Sequence, residues 1–440
     1  MDTDGPSTDG PSTNRPGSNQ PSSDGAGTGG MERADRQAAG GAPSGKKGAR
    51  RTAYLGAMFL MATSCIGPGF ITQTTVFTVQ LGAAFAFAIL ISVLLDICIQ
   101  MNVWRIVGAA GIRAQEIGNK VLPGVGWVLA VLVFIGGLVF NIGNIAGTGL
   151  GTNAMFGANT TIGGIISAVV AALIFLSKRA GVALDRIIVI LGAIMILLML
   201  YVAIVSAPPV GEALKNTVMP DKIDFLIITT LIGGSVGGYI TYAGAHRMVD
   251  SGYSGPENMR SIATTSVIGV IITGIMRVLL FLAIFGVVAG GVALSGNNMA
   301  ADAFKAAAGE IGMRVFGVVL WAAAISSVIG ASYTSVSFVT SSKTSPRVRN
   351  LLTVVFIVVC TILFAVLGQT PQTLLIFAGA FNGLILPIGL AVLLYAAWRR
   401  RDLLQGYKYP KWLLIAGVLA WLLTIYLGWN SISGLESLWA

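Results

Sequence analysis

Two short stretches and two isolated charges are where this sequence could do chemistry. At residues 64–75, SCIGPGFITQTT interrupts an apolar segment with two glycines around a proline, and a run of hydroxyls follows. Pro68 removes a backbone donor, and Gly67 and Gly69 disfavour helix. At 232–244, IGGSVGGYITYAG places Gly233, Gly234, Gly237 and Gly238 close together inside another apolar run. Broken helix in a bilayer is tolerated only where it lines a cavity or is buried in protein. The chemistry on offer is therefore binding. The expected ligands are the backbone and side chains of Gly67, Pro68, Gly69, Phe70 and Thr72 in the first stretch, and of Gly238, Tyr239 and Thr241 in the second.

The charges sharpen the question. Arg277 lies in the middle of TGIMRVLLFL, and Asp96 is the one acidic residue of 18 inside an apolar segment. An intramembrane charge is costly unless paired and marks a functional site by default. A buried guanidinium repels a cation and suits a carboxylate bidentately. Either Arg277 and Asp96 form a structural pair or Arg277 belongs to the binding site. Asn141, Asn144 and Asn382 are neutral polar groups in apolar segments; they either bond helices together or line a pathway. No nucleophile–base pair and no phosphate loop is present, and the Gly-x-Gly at 149–151 follows no strand, so catalysis is not expected and no cofactor is implied. Cys65, Cys98 and Cys360 show neither disulfide nor zinc spacing and read as small core residues.

These residues need a membrane scaffold. The chain has 440 residues, 55% hydrophobic and 10% charged, which is too apolar for a soluble domain. Residues 1–50 form the exception and read as a disordered cytoplasmic tail, leaving 51–440 as the membrane domain. No apolar h-region lies near Met1, so the first span is expected to act as the targeting signal. Eleven spans are expected, at 52–80, 82–104, 124–149, 161–177, 183–206, 223–246, 262–290, 314–340, 350–368, 373–397 and 411–434. The net charge of +10 is concentrated in alternate loops, around 46–51, 105–120, 178–186, 343–349 and 399–411. That is the positive-inside pattern of a multi-pass cell-membrane protein with its N-terminus cytoplasmic and its C-terminus outside. Topology thus accounts for the basic balance without nucleic acid, and the partners are the bilayer and a small solute. The two breaks are five spans apart. Paired interruptions at corresponding positions predict two inverted five-helix repeats, spans 1–5 and 6–10, with a midplane site between them.

Further residues point to a family. FNIGNIAGTGLGTNAMFG (140–157), CIQMNVWRIVGAAGIRAQEI (98–117) and AISSVIGASYTS (324–335) follow in order the third-helix, second-helix and eighth-helix patterns of the natural resistance-associated macrophage protein (NRAMP) divalent-metal transporters. The chain resembles that family over roughly residues 55–400. The resemblance implies a LeuT-like fold and transport of a divalent cation of the manganese, iron and magnesium class. The family's Asp-Pro-Gly-Asn motif falls on Gly67-Pro68-Gly69-Phe70, so the break is kept while both side-chain ligands are replaced. The family's metal-binding methionine falls near Thr241 and its alanine carbonyl near Gly238. Its acidic proton-route pair falls on Asn141 and Asn144, and its sixth-helix histidine near Ala243, short of His246.

Two substrate classes remain open. The resemblance implies a divalent metal, at a site without carboxylate, thioether or imidazole. Hard cations take several oxygens, usually including carboxylates; Thr72, Gln73, Thr74, Thr75, Tyr239, Thr241 and Tyr242 supply neutral ones. The alternative is import of a small organic anion, an amino acid or a 5-oxoproline-like acid, held by the broken helices and Arg277.

Overall fold

The computed structural model describes residues 65–294, 296–340 and 344–436. The tail expected at 1–50 and the first part of the first span, 52–64, lie outside the described residues. Every regular element among those described is helical. In chain order these are α1 (Pro68–Leu81), α2 (Phe85–Ala110), α3 (Ala114–Val121), α4 (Val125–Phe156), α5 (Thr160–Leu176), α6 (Lys178–Val205), α7 (Val210–Val218), α8 (Phe225–Val236), α9 (Ile240–Asp250), α10 (Met259–Ala289), α11 (Met299–Val339), α12 (Pro346–Leu367), α13 (Pro371–Arg399) and α14 (Lys411–Glu436).

Eight helices or helix pairs among the described residues are long and apolar enough to cross a membrane. They become nine if Val189–Val205 and Val210–Val218, bent by 106°, make one span, and Thr160–Leu176 is a shorter apolar helix. The number differs from eleven partly because α1 and α2, parted at Gly82 (φ +54°), fall within one continuous apolar stretch, Pro68–Ala110. Boundaries shift where local chemistry overrides hydropathy. The span expected to end near 206 turns sharply there because Pro208 and Pro209 cannot continue it. The span expected at 314–340 is the second leg of α11, which kinks at Gly309 (φ 67°).

The packing follows the repeat. α4 packs along α11, α2 along α10, α1 against α8, and α5 against α12, each pair drawn from corresponding spans of the two halves. Without a hydrophobic drive between helices in lipid, close approach relies on small residues. Gly151 abuts Trp321, and Gly317 abuts Ala154 and Met155, along α4 and α11. Gly233 of α8 lies against the backbone of Gly379 and Gly383 in α13, and Gly383 against the carbonyl of Thr229. Large apolar side chains face outward, among them Ile162, Leu173, Leu197, Ile362 and Leu419. The interior holds an unusual share of polar groups: Gln73, Asp96, Gln100, Asn141, Asn144, Arg277 and Asn382 are all buried.

Candidate functional site

The site forms where the two broken spans meet. Cys65 is helical, Ile66 and Gly67 are not, and Pro68 opens α1 with Gly67 as its N-cap. The opening is confined to Ile66 and Gly67; residues 68–70 are already helical, because Pro68 is favourable at the first helical position. The second break spans Gly237, Gly238 and Tyr239 only. Gly238 has φ +52°, a conformation that glycine adopts without strain.

Several neighbours lock the first break in place. The Pro68 ring fills the space that a Cβ on Gly147 would need. Gly67 lies against the Ser327 hydroxyl, 2.9 Å from where its Cβ would be, with Asn144 Oδ1 close behind. Gln73, one and a half turns farther along α1, donates from Nε2 to the Leu375 carbonyl (3.1 Å). Its amide is wedged between Gly234 of α8 and Gly379 of α13. At the second break the Tyr239 ring stands edge-on to Phe140 at 5.6 Å, and its hydroxyl faces Asn144. Asn382 donates to the carbonyls of Gly136 (3.1 Å) and Ala378 (2.8 Å), with its Oδ1 against Gly238.

Arg277 and Asp96 flank this arrangement. Arg277 is 2% exposed, and its guanidinium carbon lies 4.5 Å from the centre of the Phe70 ring. Asp96 is 3% exposed and lies within the field of Arg277. The two make no direct ion pair, since no contact within 4 Å joins them among the described residues. Cys65, Ser235 and Thr273 complete the cluster. Several buried atoms have no hydrogen-bond partner: Nε and Nη2 of Arg277, Oδ1 of Asp96, Oε1 of Gln73, Nδ2 of Asn144, Oδ1 of Asn382 and Oγ of Ser327. A buried unpaired polar atom costs about 1–3 kcal/mol. These seven atoms lie around the two breaks and offer the donors and acceptors that a polar binding site requires.

Other expected positions are placed differently. The Thr241 hydroxyl donates to Gln100 Oε1 (2.6 Å) and its carbonyl accepts from the Trp104 indole, so both tie α9 to α2. Asn141 donates to Ser332 (2.9 Å), joining α4 to α11. Thr74, Thr75 and Thr78 each bond a carbonyl one turn back, as helical threonines do. Thr72 is buried in α1. No group of three or more His, Cys, Asp or Glu side chains able to hold a metal ion occurs among the described residues.

Further residues of the arrangement are legible only beside the breaks. Cys65 is the last helical residue before the first break, and Ser235 lies in the last turn before the second. Ser327 lies within the Ser-Ser pair of 324–335. Gln73 is a lone amide in a threonine run.

At the end of the bundle where the basic loops gather, a second constellation closes the chain. Arg113 is 6% exposed; Nε and Nη2 grip both oxygens of Asp250 (3.1 and 3.0 Å), and Nη1 donates to the Ser337 carbonyl (3.2 Å). His246 Nε2 accepts from the Ala114 amide at the start of α3 (3.1 Å), and its ring stacks near Phe338. One arginine thus joins the start of α3 to the ends of α9 and α11.

Comparison with known proteins agrees with this architecture. Residues 58–433 match the family model described as natural resistance-associated macrophage protein-like. The Bacillus subtilis (strain 168) membrane protein YcsG is 49% identical over 400 residues, covering 90% of this chain and 98% of that one. The divalent metal cation transporter MntH of Brucella suis biovar 1 is 25% identical over 228 residues, half of each chain. A mutant of the Eremococcus coleocola manganese transporter superposes with a TM-score of 0.67 at 17% identity, covering 89% of both chains. The fold is accordingly the all-helical, LeuT-like transporter fold.

Proposed function

Because the chain belongs to the Nramp family, we propose that it is a secondary transporter rather than an enzyme, and that it carries a small solute across the cell membrane by alternating access. The observation that carries this reading is the pair of broken spans, at Ile66–Gly67 and Gly237–Tyr239, meeting around Gln73, Asn144 and Tyr239. An inert scaffold has no use for such breaks, which expose backbone polar groups at membrane depth. The loop charges support a cytoplasmic N-terminus and an external C-terminus.

Family membership supports a divalent metal cation as the substrate. The site would treat it unlike an all-oxygen cage with carboxylates. Its ligands would be carbonyls released at the breaks and the neutral oxygens of Asn144, Tyr239 and Ser327. Such a set leaves the ion largely hydrated and binds it loosely. Asn141 and Asn144 hold no titratable proton, so proton coupling along the family's third-helix route is not expected.

The test is uptake of labelled manganese by proteoliposomes holding the full chain. Saturation is expected only at roughly 0.1–1 mM, the range of weakly charged oxygen sites. Tight micromolar saturation would refute the loose, hydrated mode. Absence of manganese uptake, together with absence of uptake of any organic acid, would refute the transporter reading.

A second substrate class is favoured by one specific observation. The buried guanidinium of Arg277, with Nε and Nη2 unpaired and its carbon against Phe70 beside the first break, opposes a bare cation and supports a small organic anion.

A further inference from the structure

We infer that Arg277, the Phe70 ring and the N-terminus of α1 form a binding subsite for the carboxylate of a small organic acid. The inference rests on the transporter reading above and assigns the subsite that reading leaves open.

Three independent features converge on one place. Arg277 is deeply buried with Nε and Nη2 partnerless. An arginine held in that state has donors to give and a charge to neutralise. Its guanidinium lies by the face of Phe70, so one side is occupied by an aromatic ring and its edge remains for an acceptor. Phe70 belongs to the first turn of α1, and no side chain caps that helix. Pro68 has no amide proton and the Ile71 amide bonds to the Gly67 carbonyl, which leaves the amides of Gly69 and Phe70 as the turn's donors. The Phe70 ring thus ties the guanidinium to the very turn whose free amides form the positive end of the helix dipole.

The chain's own carboxylate does not fill the place. Asp96 lies within the field of Arg277 without contacting it, beside Ser235. A planar carboxylate fits the guanidinium fork and has lone pairs to spare for the α1 amides. The neutral groups of Asn144, Tyr239 and Ser327 suit the remainder of a small polar molecule.

The carboxylate could arrive in two ways. A free organic acid would be the solute itself. An organic acid already coordinating a divalent cation would bring the oxygens that the protein's site lacks, and Arg277 would then grip the acid rather than repel the metal.

Thermal unfolding of the purified full chain in detergent distinguishes these cases, with acetate, lactate, glycine, proline and citrate each added alone and with manganese. At least one acid is expected to raise the unfolding midpoint of the wild type by several degrees. Arg277→Gln should lose that shift. Arg277→Lys should keep a minor part of it, because it retains the charge without the fork. A shift that grows with manganese identifies the chelated acid; one indifferent to manganese identifies the free acid. Phe70→Leu leaves the charge and the α1 amides in place and should raise the half-saturating acid concentration several-fold, which secures the test if Arg277→Gln does not fold. The subsite is overturned if no acid shifts the wild type in either arm, or if the shift survives Arg277→Gln or is unaltered in Phe70→Leu. Manganese uptake that persists without any acid effect would overturn the subsite alone and leave the transporter reading intact.

Discussion

Gly233→Ala is expected to lower the unfolding temperature of the detergent-solubilised protein by several degrees and to reduce uptake at least tenfold, and Gly233→Leu to prevent folding. The added Cβ would fall inside the Gly379 carbonyl and within 2.8 Å of the Gly383 Cα. Both obstacles are backbone, so neither can rotate aside. α8 must move away from α13, and the second break moves with it. Overpacking of this kind costs about 1–3 kcal/mol for one methyl group. Gly211→Ala is the control, since nothing lies within 4 Å of its Cβ position. Equal melting of Gly233→Ala and the control would show that α8 and α13 are not in backbone contact.

The second large effect concerns the closed end of the bundle. Arg113→Ala should release α9 from α3 and α11 and populate a conformation open at that end. Charge-assisted hydrogen bonds are worth about 1.5–3 kcal/mol each. The half-exposed Asp250 carboxylate, 46% accessible, brings the pair toward the lower figure. A net loss of about 1.5–3 kcal/mol corresponds to a population shift of roughly 10- to 150-fold. Amide hydrogen exchange in Ala114–Val121 and Ile240–Asp250 should accelerate by that factor, while exchange in α4 stays unchanged. Asp250→Ala should have the smaller effect, because Arg113 keeps the Ser337 carbonyl. Identical exchange rates in Arg113→Ala and wild type would falsify the latch.

What the sequence made legible follows from the kind of signal each feature leaves. The breaks were legible because glycine and proline act on their own backbone: Gly67, Pro68 and Gly237–Gly238 break the helix through local sterics. The fold class was legible because hydropathy and break spacing are properties of the chain in order. The partners of each polar side chain were not. Thr241 and Gln100 are separated by 141 residues, and Arg113 and Asp250 by 137. No local pattern pairs them. Thr74 and Thr75, with Thr72 before them, read in the sequence as a lining of oxygens, yet the Thr74 and Thr75 hydroxyls satisfy their own helix. Gln73 stands among those threonines and does what they do not, because only its longer side chain reaches the Leu375 carbonyl and the gap between two glycines. Arg277 was legible as an anomaly, and its neighbour Phe70 only as the replacement of an expected ligand. Their stacking joins two observations that the sequence kept apart.

The brevity of α8 has a consequence for how the protein is made. Its 12 residues rise about 18 Å at 1.5 Å per residue, little more than half of a hydrocarbon core about 30 Å thick. α9 must supply the rest, and it carries Arg247 and Asp250 near its end. Together α8 and α9 make the least apolar of the eight candidate spans. The seat of α8 is shared between elements made before it and after it: α1 and α2 precede it, and α13, which offers Gly379 and Gly383, follows. Assembly is thus ordered by synthesis: the sixth span meets α1 and α2 first and gains its closest backbone contacts only once α13 has been made.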